Sequence, residues 1–67
     1  PMTRLINLYA LDYWYESDAD DPDSAYTLIG DEKGDYVIAA DGTLTFEEIW
    51  ELAETHNEQV KAELQNG

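Results

Sequence analysis

The chain has 67 residues, with 16 Asp and Glu against 3 Lys and Arg, a formal net charge of −13, 43% hydrophobic and 12% aromatic residues, and no cysteine. That length accommodates a single domain (1–67) with a marginal core, because a chain this short buries only about 60% of the surface its unfolded form exposes. The composition excludes a disordered tail, a disulfide framework and a Cys-based zinc site. No apolar run approaches the roughly 20 residues of a membrane span. The opening residues lack a signal peptide's apolar stretch, so a cytoplasmic location is expected.

Residues 4–15 are rich in aliphatic and aromatic side chains, without Gly or Pro. The pattern reads as a strand with Leu5, Tyr9, Leu11, Tyr13 and Tyr15 on one face and Ile6, Leu8, Ala10 and Trp14 on the other. A helix over 4–12 competes, since Leu5, Leu8, Tyr9 and Asp12 also fit a 3.6 period; the closing Tyr-Trp-Tyr favours the strand. Residues 16–24 hold a run of acids around Pro22 and read as a loop, with Pro22 expected to block regular pairing. Residues 25–29 and 36–40 then form a β-hairpin across a turn at 30–35, and Asp41-Gly42 makes the next turn.

Thr45-Phe46-Glu47-Glu48 is a capping box: the Thr45 hydroxyl serves the Glu48 N–H and the Glu48 carboxylate reaches back to the Thr45 N–H. Leu44 and Ile49 are spaced as a hydrophobic staple. The helix should run from about 46 to 64, with Phe46, Ile49, Trp50, Ala53, Val60 and Leu64 on one face. The expected fold is therefore α+β, a small three-stranded antiparallel sheet followed by one C-terminal helix (β-β-β-α). One helix covers only one face of such a sheet, while the strands carry apolar residues on both. A second layer is needed, so a homodimer is expected with Tyr13, Trp14 and Tyr15 near its interface.

Three arrangements bear on chemistry. Asp41 to Glu48 resembles the second half of an EF-hand loop, but Val37 and Ala39 would stand where its first carboxylates belong, so no metal site is assigned. Asp18 to Asp23 has the oxygens but lacks the turn glycine. The lone His56 sits beside the apolar stripe and reads as a half-exposed packing residue, and there is no Cys nucleophile, G-x-S-x-G or phosphate loop. No catalytic residue, cofactor or enzyme activity is expected.

Charge is the feature that bears on function. At least thirteen carboxylates lack a basic partner, and crowded like charge opposes compaction. Direct binding of nucleic acid or an anionic membrane is disfavoured, and a basic protein is the natural partner. Glu47, Glu51, Glu54 and Glu58 recur at i, i+4, i+7 and i+11, a helix stripe about 17 Å long, with only Lys61 placed to relieve it. Asp18, Asp20, Asp21 and Asp23 add an acidic loop. The competing readings are an acidic solvent face that serves solubility and an adaptation to high salt.

In size, acidity, lack of cysteine and a small sheet with one helix, the chain resembles the small acidic inhibitors that bacteriophages encode. These include DNA mimics that block uracil-DNA glycosylases, restriction enzymes, nucleoid proteins or CRISPR nucleases, and small inhibitors of host RNA polymerase. The resemblance is one of composition across the whole chain, and no residue role is carried over from it. It implies a non-catalytic inhibitor that occupies the basic nucleic-acid-binding groove of a target, in the host cytoplasm if phage-encoded. The partner-binding residues would be the helix stripe and the acidic loop. The alternative is a structural or assembly protein, or an antitoxin-like module, whose aromatic sheet face is the interface.

Overall fold

The computed structural model describes residues 4–32 and 36–66. Three strands, β1 (Asp12–Asp18), β2 (Asp21–Gly30) and β3 (Tyr36–Asp41), form an antiparallel sheet in the order β1-β2-β3, followed by one helix, α1 (Phe46–Asn66). The β-β-β-α architecture expected from the sequence is the fold.

Two boundaries differ from expectation, each for a local reason. Residues 4–11 are neither strand nor α-helix. Leu8–Ala10 form a single 3-10 turn capped by Asn7, whose side chain accepts the Tyr9 N–H at 3.1 Å while its carbonyl accepts the Ala10 N–H at 3.1 Å. The preceding backbone bonds to side chains instead of to a neighbouring strand. Asn57 takes both polar groups of Ile6, accepting its N–H at 2.8 Å and donating to its C=O at 3.0 Å. Asp31 accepts the Asn7 N–H at 3.0 Å. An apolar alternation cannot reveal such partners, because it reports which side chains are buried and not where the backbone donors go.

The second difference is the 16–24 segment, expected as a loop. It is mostly strand, with β1 running to Asp18, a two-residue turn at 19–20, and β2 starting at Asp21. Pro22 is tolerated because this stretch lies beyond the last β2–β3 pair, Tyr26 with Asp41, where no third strand needs its missing N–H. Side chains replace ladder bonds at the tip. Ser24 Oγ accepts the Asp18 N–H at 2.8 Å and donates to the Asp21 carbonyl at 2.7 Å. The Asp18 and Asp21 carboxylates accept the N–H groups of Asp20 and Asp23.

The core lies between one sheet face and α1. Ile6, Ile29, Ile49 and Ala53 are its buried centre, with Leu8, Leu11, Tyr13, Val37, Ile38, Leu44 and Leu52 packed around it. Tyr13, Ile29 and Ile38 form a cross-strand row on this face. The register shift opposite Ile29 and Gly30 lets both Val37 and Ile38 reach the core. Thr27, fully buried, fixes the connection to the helix: its hydroxyl donates to the Gly42 carbonyl at 2.8 Å and accepts the Leu44 N–H at 3.0 Å. Gly42 adopts φ +87°, a left-handed conformation that only glycine takes without strain.

The helix begins as expected. The Thr45 N–H donates to Glu48 Oε1 at 3.0 Å and the Glu48 N–H to Thr45 Oγ1 at 3.3 Å, the reciprocal pair of a capping box. Leu44 and Ile49 meet in the same core cluster. Of the expected apolar face, Ile49, Ala53 and Val60 are buried, whereas Phe46 and Leu64 are exposed.

The opposite sheet face is open among the described residues. It carries the row Trp14, Leu28 and Ala39, with Glu16 and Tyr26 paired beside it and Tyr36 at its edge. Leu28 is buried there although it lies outside the core cluster. The molecule is long, 43 × 23 × 20 Å, with a radius of gyration of 13.0 Å against about 11 Å for a compact chain of this length.

Candidate functional site

The helix face that carries the acids is defined by the face that does not. Ile49, Ala53, Asn57 and Val60 are the buried residues of α1 and mark its inward side. Glu47, Glu51, Glu54 and Glu58 are all exposed and lie on the outward side at helical spacing. Among the described residues, the cation beside this stripe is Lys61, whose Nζ lies 3.7 Å from Glu58 Oε1, with both side chains largely in solvent. Glu47, Glu51 and Glu54 have no described ion pair.

Glu48, next to the stripe, has a different task. Its carboxyl is held below its ordinary pKa by the Thr45 backbone N–H that it accepts and then by hydrogen bonding from the Thr45 hydroxyl. It belongs to the cap and not to the outward acids.

Asp18, Asp20, Asp21 and Asp23 are exposed around the β1–β2 turn. The hairpin projects past Asp41, the end of β3 from which the chain turns into α1, so these acids and the start of the helix stripe lie at the same end of the sheet. Asp18 and Asp21 also shape the turn through the backbone bonds described above. Among the described residues, no three His, Asp or Glu side chains gather in an arrangement that could hold a metal ion.

Tyr13, Trp14 and Tyr15 do not form one surface, because successive strand residues point to opposite faces. Trp14 is half-buried on the open face. Tyr13 and Tyr15 turn toward the helix, with their ring centroids 6.0 Å apart, and the Tyr15 hydroxyl donates to the Leu44 carbonyl at 2.8 Å. Tyr13 continues to Phe46 at 6.3 Å and Phe46 to Trp50 at 6.2 Å. This aromatic chain reaches the surface at Tyr15 and Phe46, which are 47% and 54% exposed. On the open face the Tyr26 hydroxyl donates to Glu16 Oε2 at 3.0 Å. That bond, and then the Glu16 charge, raise the phenol's pKa above its ordinary value.

Asn57 and Asp31 are structural residues that the sequence reading passed over. Asn57 stands four residues after Ala53 on the buried face, and a polar residue on an apolar stripe is a readable signal. Asp31 has no such signal; it looks like any turn acid, yet it is 3% exposed and takes both arms of the Arg4 guanidinium at 2.7 and 3.1 Å. His56 is half-buried as expected, its Nε2 donating to the Arg4 carbonyl at 2.6 Å. Arg4, Asp31 and Asn57 line an open cavity of about 680 Å³ between residues 4–9 and the far half of α1. No helix of the described residues is long and apolar enough to cross a membrane. Compared with known protein families, with curated proteins and with solved structures, the chain matches none.

Proposed function

We propose that this chain is a non-catalytic acidic inhibitor that occupies the basic nucleic-acid-binding groove of a target protein in the cytoplasm. The supporting observation is the stripe Glu47, Glu51, Glu54 and Glu58, exposed on a helix opposite its core face, with Lys61 the one cation beside it among the described residues. A solvated helix face ordinarily mixes both charges, since like charges at i, i+4 cost a few tenths of a kcal/mol per pair. Fixed carboxylates on a rigid rod offer a basic groove close, multiple contacts that screening over about 8 Å does not erase. The four hairpin acids extend the negative surface beyond the helix start. Inhibition by this route is competitive, so it weakens with excess nucleic acid and with salt.

The test is binding to a panel of basic nucleic-acid enzymes across a salt series. The double reversal Glu51→Lys with Glu54→Lys should slow association and leave the fold intact, as both residues face water. A matched control reverses Asp12, exposed at the end of β1 remote from the hairpin tip, and Glu63, exposed on α1 off the stripe. Asp31, a turn acid by sequence, is unsuitable as a control because it is buried against Arg4. Equal binding by parent and helix variant at every salt concentration would leave the stripe as a plain solvent face.

A second reading is favoured by the open sheet face, where Tyr36 is 57% exposed on the same face as Trp14 and Leu28. There the chain is an assembly module or homodimer, or an antitoxin-like partner, and its acidity serves solubility. Sedimentation at micromolar concentration separates the two: a dimer that dissociates on Trp14→Ala supports assembly, and a monomer removes the homodimer.

A further inference from the structure

We infer that the open hollow formed by Phe46, Glu47 and Trp50 captures an arginine side chain of the basic partner; this deepens, and rests on, the reading of α1 as the partner-binding face. The hollow has a volume of about 390 Å³ and, among the described residues, is lined by those three. Phe46 is 54% exposed and contributes nothing to the core cluster, so its ring is not held there by core packing. Its ring instead lies between those of Tyr13 and Trp50, with centroids 6.3 and 6.2 Å away. An aromatic wall thus stands next to the acidic stripe: Glu47 lines the hollow, Glu51 is the residue after Trp50, and Glu54 follows Trp50 by one helical turn.

This juxtaposition suits one kind of occupant. An aromatic face attracts a cation through its quadrupole, and a carboxylate attracts it by charge. A guanidinium is planar and weakly hydrated, so it stacks on a ring while its edge N–H groups reach a carboxylate. A lysine ammonium satisfies the carboxylates but has no flat face to stack. An apolar occupant would strip water from Glu47 without replacing its hydrogen bonds. A second copy of this chain, at net −13, would bring carboxylates against carboxylates.

The experiment titrates the full chain with oligoarginine and oligolysine peptides of equal length at about 0.15 M salt. The indole N–H signals of the two tryptophans are followed by NMR. The expected result is that oligoarginine binds about two- to fivefold more tightly than oligolysine, as an exposed cation–π contact allows. The Trp50 signal should shift while that of Trp14 stays still. Phe46→Leu, which keeps an apolar side chain but removes the ring, should weaken oligoarginine more than oligolysine and so narrow the preference between them. Binding of both peptides with no preference, or a shift at Trp14 in place of Trp50, overturns the arginine contact and spares the acidic-face reading. Absence of binding by either peptide even at low salt overturns both.

Discussion

Asn57 shows how much one side chain decides in a domain this small. A carboxamide carries a donor and an acceptor, so it completes the Ile6 backbone as a neighbouring strand would. Asn57→Leu fills similar space and leaves a buried N–H and C=O without partners, at about 1–3 kcal/mol for each group. The variant should lose about 2 kcal/mol or more, a large share of the 3–5 kcal/mol such a core supplies. Denaturant unfolding should show a lower midpoint, and the Ile6 amide should exchange its hydrogen faster; an unchanged midpoint would assign the anchoring elsewhere. Glu48 gives a pH signature. Its carboxyl titrates lower when folded than when unfolded, so its contribution is fully present above the ordinary glutamate value of about 4.3 and is lost as pH falls through the folded value. Glu48→Gln should therefore be less stable than the parent at neutral pH, and the gap should close in acid. A gap independent of pH would mean that the charge of Glu48 contributes nothing.

At the scale of elements, the clearest features are those whose chemistry is local. The capping box lies within four consecutive residues, so its parts are adjacent whatever the fold. Thr45→Ala removes the hydroxyl that accepts the Glu48 N–H and should cost about 1 kcal/mol, read as a lower denaturant midpoint. An identical midpoint would show that the helix start is held by Thr27 and the Leu44–Ile49 packing alone. The N-terminal segment behaves oppositely. Its alternation of Leu, Ile and Tyr reads as a strand, but strand pairing needs a free edge beside it. The helix instead presents Asn57 and His56 to its backbone, while Asp31 receives the Asn7 N–H. The hairpin tip is strand where a loop is expected for a related reason: Pro22 forbids a strand only where its missing N–H faces another strand.

At the scale of the whole molecule, net −13 on a chain of 67 residues sets a repulsive load. Raising salt from low concentration to about 0.15 M shortens the screening length to about 8 Å and should raise the thermal midpoint. The Glu51→Lys, Glu54→Lys variant should show a smaller salt effect, having shed part of that load. A thermal midpoint indifferent to salt in the parent would mean the acids are spread widely enough not to oppose folding. The elongated shape is part of this balance, because the projecting hairpin keeps its four aspartates away from the sheet centre.

The amino-acid sequence by itself determined the order β-β-β-α, the helix cap and the placement of Glu47, Glu51, Glu54 and Glu58 on one outward stripe. Each of these follows from short-range spacing, either the two-residue period of a strand, the 3.6-residue period of a helix or a contact three residues away. Tertiary structure alone decided the rest. Asp31 and Glu32 are adjacent acids, yet one is buried against Arg4 27 positions away and the other is exposed. Tyr13 and Trp14 are adjacent aromatics, yet one packs on the core and the other lies on the open face. Phe46 opens the helix, yet its ring meets that of Tyr13, 33 positions earlier, at 6.3 Å. Pairings of this kind depend on which distant elements meet, and no local period encodes them.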